Sequence, residues 1–500
     1  MTGAQSTLSL RYGTSKGRWV LTATVLGSGM AGLDATVVGI ALPTIGRDFT
    51  VGVAALQWVV NAYTLTLAGL LLLGGTLGDR LGRRKVFVIG TVWFAIASLL
   101  CGVAPNATTL IFARALQGVG AALLTPGSLA ILQASFVPDD RPRAIGAWSG
   151  LGGVATAVGP FLGGWLISAV SWRLVFFINL PLAAFVVLIA SRHVPESRAP
   201  ATGSRLDVPG ATAITGGLVG VTYGLIEGPV HGWTSPLVLC ALLAGTVLLA
   251  LFLVIEARTD DPMLPLGVFK SKQFSAANAV TFVVYGALGG TLFLLPVVLQ
   301  EVAGYSPLLA GTALLPVTVI MLALSARSGA LAARIGPRLQ MTVGPLVIAA
   351  GLALLVRINT GGNYLTEVLP AVLVFGFGLA INVAPLTSTA LGAVPAEHAG
   401  VASAINNDVA RAAGLIAVAV LPVAAGITGD SYLHPLALQH GFRIAVLIAA
   451  VACVGGGVLA AFTIRNPARR PHEPARPAVH SCALEATSLR ADAGVGTRHT

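Results

Sequence analysis

The chain runs to 500 residues, 55% of them apolar and only 10% charged, against roughly 25% charged in an ordinary soluble domain. That deficit excludes a soluble globular enzyme and points to a chain that spends most of its length in lipid. The balance is basic, with 30 Lys plus Arg, 19 Asp plus Glu and a net charge of +11, so a nucleic-acid partner has to be weighed against membrane topology.

A bilayer-spanning helix takes about 20 mostly apolar residues, and fourteen such runs follow one another. The first six are Trp19 to Pro43, Ala55 to Gly78, Val86 to Ala104, Thr108 to Leu132, Ile145 to Ala169 and Leu174 to Ser191. Two more, Val208 to Gly228 and Pro236 to Ile255, precede a last six: Phe274 to Leu299, Leu308 to Ala332, Met341 to Val356, Val368 to Ala393, Val401 to Gly426 and Phe442 to Ile464. The expected fold class is therefore an all-α polytopic membrane protein. The first run is too long for a cleavable leader and has no clear small-residue cleavage site, so it is expected to stay as a span.

Charge alternates with the spans. One set of connections holds Arg11, Lys16 and Arg18; Arg80, Arg83, Arg84 and Lys85; Arg141 and Arg143; Arg192, Arg198 and Arg205; Arg258, Lys270 and Lys272; Arg334 and Arg338; and the arginines after Ile464. The other set holds only Arg47, Arg173 and Arg357. Basic loops stay in the cytoplasm. That rule accounts for the surplus charge, places both termini inside a plasma membrane and removes the nucleic-acid reading.

Between the second and third runs lies Gly75-Thr76-Leu77-Gly78-Asp79-Arg80-Leu81-Gly82-Arg83-Arg84-Lys85, and a faded copy, Gly329 to Arg338, lies between the tenth and eleventh. Duplicated helical halves are how many secondary transporters build a central site with two alternately open mouths. A plain six-plus-six duplication would part the copies by six spans. Here eight part them, so two helices are inserted. The expected organisation is a cytoplasmic segment over 1–18, a six-helix bundle over 19–198, two linking helices over 199–262, a second six-helix bundle over 263–465 and a disordered, Pro- and Arg-rich cytoplasmic tail over 466–500. Cys101, Cys240, Cys453 and Cys482 have neither metal-ligand spacing nor a paired extracellular set, so no disulfide, metal or cofactor is expected.

Few charges sit inside the runs. Asp34 lies deep in the first, and an acid there costs about 2.5–3.5 kcal/mol on insertion scales. It is expected to alternate between protonated and ionised as its site faces each side, unless it is a hydrogen-bonded structural acid. Arg114, in the fourth run, cannot shed its proton and must find an acid, a cavity or backbone carbonyls, or snorkel to its helix end. Near Asp34 it would favour that acid's charged form. Gly159 and Gly163, four apart in the fifth run with Gly164 beside them, allow close helix packing, and Pro160 between them bends the helix. Asp408 precedes Arg411 by three residues, on one helical face, so an internal ion pair is expected, with a second proton site as the rival. Trp58, Asn61 and Tyr63, with Gln117, Glu227 and Asp408, are the candidates for lining a central cavity. Glu227 would either hold a cationic drug or lie in water at the interface.

In this order the motifs resemble the major facilitator superfamily, specifically its fourteen-span drug/proton antiporter branch. Gly75 to Lys85 resembles the basic loop after span two, Leu110 to Ala121 the Arg motif of span four, and Gly159-Pro160-Phe161-Leu162-Gly163-Gly164 the antiporter motif of span five. Leu33-Asp34-Ala35-Thr36 with Ala41-Leu42-Pro43 is similar to the branch's span-one motif, and Trp172 to Pro181 to its entry into span six. The resemblance implies proton-driven efflux of small organic molecules, an antibiotic or multidrug exporter acting as a monomer. It implies that Asp34 and Arg114 couple the proton, and that Gly75, Asp79, Arg80, Gly82, Arg83 and Arg84 form a cytoplasmic latch between halves. Gly159 and Pro160 would shape the helix that bends on switching. Gly39 stands where many relatives carry a polar residue, and the second hairpin has Ala333 in place of the acid. A dedicated exporter of an endogenous metabolite or lipid keeps the same fold with another cargo. A membrane enzyme or receptor would need a catalytic set or an aqueous domain, and the sequence offers neither.

Overall fold

The structure, a computed structural model, describes residues 10–198, 206–260, 262–395 and 399–466. Among them are fourteen helices long and apolar enough to cross a membrane. They are α1 Ser15–Phe49, α2 Val53–Leu81, α3 Arg83–Gly102, α4 Ala107–Ser135, α5 Pro138–Ala169, α6 Leu174–His193, α7 Val208–His231, α8 Pro236–Arg258, α9 Lys272–Glu301, α10 Pro307–Ile335, α11 Pro337–Arg357, α12 Tyr364–Gly392, α13 Gly400–Ala424 and α14 Pro435–Thr463. Each expected run is present, and several helices outlast their apolar stretch. Helix α1 passes through Pro43 to Phe49, because a proline among packed membrane helices leaves its freed carbonyl to be satisfied by neighbours. Residues 467–500 of the expected tail, with Arg205 and Cys482, lie outside the described residues.

Polar side chains start the helices where the sequence supplies them. Asn106 Oδ1 accepts the Thr109 N–H at 2.8 Å ahead of α4, and Asp207 Oδ1 accepts the Gly210 N–H at 2.8 Å ahead of α7. The two basic hairpins turn alike. Gly82 (φ 116°) and Gly336 (φ 87°) separate α2 from α3 and α10 from α11, a backbone region that glycine enters without a Cβ clash.

Helix pairing repeats eight spans on. Helix α1 packs along α5 and α6, α2 along α4, and α3 along α4 and α6; α9 packs along α13 and α14, α10 along α12, and α11 along α12 and α14. The inserted pair α7 and α8 lies between these sets in sequence. A small-residue seam joins the pair: a Cβ on Gly220 would stand 2.7 Å from the Ala241 carbonyl and 2.8 Å from Gly245 Cα. Helix α7 then leans on both α2 and α13, where Leu65, Leu218 and Leu415 cluster. Helix α8 turns Leu237, Leu243, Val247 and Leu251 outward, as a lipid-facing helix should.

The two sets are tied together at the end opposite the basic hairpins. Gln57 Nε2 donates to the Val418 carbonyl at 2.7 Å, and Gln300 Nε2 to the Ile40 carbonyl at 3.0 Å. Arg47 and Glu301 pair at 3.4 Å. The Val53 N–H reaches the Gly429 carbonyl at 2.8 Å, and Tyr432 Oη donates to the Val51 carbonyl at 2.7 Å. Burial pushes the Tyr432 phenol above its ordinary value, so it remains a donor across the working range of pH. This far end is closed.

Candidate functional site

Asp34 is fully buried and Arg114 is 1% exposed. Arg114 Nη1 bonds directly to Asp34 Oδ2. Asp34 Oδ1 accepts Gln117 Nε2 at 2.8 Å and Asn179 Nδ2 at 3.0 Å. Ser98 Oγ accepts the same two amides, at 3.2 and 3.0 Å, and donates to the Phe176 carbonyl at 2.8 Å. Arg114 Nε donates to the Val59 carbonyl at 3.1 Å. Three helices, α1, α4 and α6, thus meet on one carboxylate with α3 behind its amide partners, and every group bonded to it donates, the pattern an ionised carboxylate accepts.

The sequence left open whether Arg114 meets Asp34, and the structure joins them. It does not wet them. The Tyr63 ring lies 4.3 Å beneath the Arg114 guanidinium and also lines the cavity beyond, so an aromatic layer seals the pair from solvent. Arg114 does not snorkel. Gln117, expected on a cavity wall, belongs to the sealed network instead. Ser98 and Asn179 were not singled out in the sequence; their signal was polarity inside apolar runs.

Two cavities lie between the helix sets. The first, of about 250 Å³, lies toward the basic end and is walled by Ser28, Tyr63, Thr125, Trp148 and Thr156 of the first set. The second, central one, of about 310 Å³, is walled by Thr36, Gly39, Asn61 and Pro160 facing Phe293 and Leu415. Ala35 and Arg411 line both. Asn61 and Tyr63 therefore lie where a cavity-lining role requires. Nothing stands within 4 Å of a Cβ built on Gly39, so the missing polar side chain of the span-one motif leaves open space in the central cavity.

Trp58 and Glu227 lie elsewhere. Trp58 Nε1 donates to Glu227 Oε1 at 2.8 Å, and His231 stands 3.2 Å from the other carboxylate oxygen. Glu227 thus joins α7 to α2 and lines neither cavity between the sets. Asp408 and Arg411 do not form the expected ion pair. Asp408 lines an apolar crevice of about 270 Å³ against α2, α7 and α8, while Arg411 turns into the central cavities. Asp408 Oδ1 and Arg411 Nε are both buried without a hydrogen-bond partner. Three residues make 300° of helical turn, and these long side chains lean to opposite sides of the shared face.

Among the described residues, the basic hairpin makes no hydrogen bond or ion pair with the second set. Arg83 Nε bonds Asp79 Oδ1 at 2.8 Å, Arg84 Nη1 donates to the Val194 carbonyl at 3.2 Å, and Arg80 is exposed. The Glu196 carboxylate, absent from the sequence reading, accepts the Arg84 and Lys85 N–H groups at 3.1 and 3.2 Å, which suits the positive end of α3. Gly75 meets Pro126 of α4, where a Cβ would sit 3.6 Å away. All these partners belong to the first six helices or to the segment just after α6.

The glycines of α5 serve close approach. A Cβ on Gly159 would press into Thr36 Oγ1 and one on Gly163 would stand 2.9 Å from Val37 Cγ1, both on α1. Gly164 faces Pro307, and Gly311 faces the Pro160 carbonyl, so the same helix makes a backbone-to-backbone contact with α10 across the closed end.

The sequence profile described as the Major Facilitator Superfamily matches residues 24–419. The chain is 38% identical over 444 residues to the puromycin resistance protein pur8 of Streptomyces alboniger, covering 86% of this chain and 87% of that protein. It is 37% identical over 403 residues to the multidrug resistance protein Stp of Mycobacterium tuberculosis, covering 80% and 74%. Among solved structures, a D-xylose–proton symporter superposes with a TM-score of 0.64 at 15% identity, covering 90% of this chain and 99% of that one, a likeness of fold.

Proposed function

This chain belongs to the Major Facilitator Superfamily, a family of membrane transporters rather than enzymes, and from that premise we propose that it exports antibiotic-type organic molecules across a bacterial plasma membrane in exchange for protons. The asymmetry of the two ends supports transport most directly: a hydrogen-bonded seal at one, and a cavity toward the other. Its resistance-protein relatives, each matched over four fifths or more of this chain, support the cargo class. With the basic segments held in the cytoplasm, both termini lie inside and the present conformation is the one that admits cargo from the cytoplasm. The bundles 19–198 and 263–465 then rock about the far-end contacts, with 199–262 as the inserted pair. The hairpin from Gly75 to Lys85 crosses to the second bundle only when the cytoplasmic end closes. The working unit on this reading is one chain.

We assign proton coupling to Asp34 and Arg114, with the step placed in the opposite conformation. As sealed here, Asp34 only accepts, and no water reaches it. A proton arriving there cancels the charge that holds Arg114, so the guanidinium lets go and the Tyr63 layer loses its cation. The driving force is adequate: about 2.3 kcal/mol per charge per 100 mV corresponds to roughly a fifty-fold gradient per proton. Expression in an efflux-deficient bacterial host, with susceptibility profiled across antibiotics of several classes, tests the reading. Raised resistance to at least one class, lost on Asp34→Asn, is expected. Unchanged susceptibility throughout, with unchanged cellular accumulation, would overturn it.

A further inference from the structure

Among the described residues that line the two cavities between the bundles, Arg411 alone is charged. It cannot deprotonate at any working pH, so its charge must be answered where it stands. Neither candidate acid answers it. Asp34 is taken by Arg114, Gln117 and Asn179, and Asp408 faces the crevice against α7 and α8 without pairing. The guanidinium Nε is buried with no partner. Around it the walls are mostly apolar, with Leu292, Phe293, Pro296 and Val418 on one side and Ile40 and Val60 on the other. The rest of the side chain is half-buried and faces both cavities, and a planar guanidinium matches a carboxylate through two parallel hydrogen bonds.

We propose that Arg411 anchors the cargo and that the cargo is an organic acid: a drug-sized apolar body bearing one carboxylate or phenolate oxyanion. The oxyanion pairs with Arg411 where the two cavities meet, and the body fills the central cavity beneath Gly39. Asn61 contributes to orientation: its Nδ2 is committed to the Leu415 carbonyl at 3.3 Å, and its Oδ1 is buried and unpartnered, ready for a donor on the body. An amine-bearing cargo meets a like charge at the same place and is disfavoured. This assignment rests on the export reading and narrows it to a charge class.

Three pyrene probes with the same body separate the possibilities: pyrenebutyrate, pyrenebutanol and pyrenebutylamine, bound to the full chain in nanodiscs and offered to inverted vesicles for uptake. The expected order is butyrate tightest, at least tenfold above the amine, with the alcohol between. Arg411→Gln should weaken butyrate at least tenfold and leave the alcohol within twofold, which also shows that the variant is folded. Arg411→Lys should recover most of the butyrate affinity. If the amine binds and is pumped as well as the acid, or if Arg411→Gln leaves the acid-to-amine ratio unchanged, the anion assignment falls and the export reading stands. If none of the three is bound or pumped, both fall.

Discussion

Replacing Asp34 by Asn keeps the shape of the side chain and removes its charge, which makes it the sharpest perturbation of the buried network. In the wild type, Asp34 Oδ2 takes Arg114 and Oδ1 takes two amide donors. An Asn has one carbonyl oxygen for the same three donors, so its own NH₂ must face either the guanidinium or the amides. The loss of a charge-assisted bond alone is worth about 1.5–3 kcal/mol. Because Arg114 is 1% exposed and cannot neutralise itself, the full effect of breaking a buried pair applies, about 3–5 kcal/mol. Unfolding of the purified protein in mixed detergent–SDS micelles should register that loss, and vesicle transport should cease. The double variant Asp34→Leu, Arg114→Met removes both charges and should regain most of the stability, since an apolar pair of similar volume often matches a buried ion pair. It should remain inactive. A single variant within about 1 kcal/mol of wild type by the same reckoning, or a double variant no more stable than the single, would refute the reasoning that this pair is dry and mutually dependent.

Gly39→Phe should abolish transport and leave stability near wild type, because its Cβ enters open cavity; paired vesicle-uptake and thermal-unfolding assays check this. Gly159→Val should instead destabilise the protein by about 1–3 kcal/mol through overpacking against α1, read in the same unfolding assay, since even a Cβ there meets Thr36. Gln57→Leu combined with Gln300→Leu removes three far-end hydrogen bonds worth about 1 kcal/mol each. It should raise the fraction open at that end roughly tenfold or more, measured as spin-label distances between the far ends of α2 and α13.

The number of spans and their order were legible because lipid demands long apolar runs and charge marks the loops. The repeat was legible in Gly82 and Gly336, where one backbone conformation needs one residue type twice. For Arg114 the sequence left an acid, a cavity, carbonyls or the helix end open, and the structure supplies Asp34. The sealing of that pair was not legible, since the seal is the Tyr63 ring, and an aromatic in a membrane helix carries no mark of which neighbour it covers. Asp408 and Arg411 mislead for a related reason: a spacing of three puts two residues on one helical face, while cavities on either side decide where each side chain turns. Glu196 and the far-end glutamines escaped notice because their partners are backbone groups more than a hundred positions away in sequence.

The account rests on exchange of cargo against protons through a site open to one side at a time. The direct measurement is proton flux in proteoliposomes loaded with a pH-sensitive dye, on addition of a compound to which the protein confers resistance. The account predicts proton movement opposite to the cargo, speeded by an imposed pH gradient and absent in Asp34→Asn. Cargo movement at the same rate with the gradient collapsed, and with no proton signal, would contradict it.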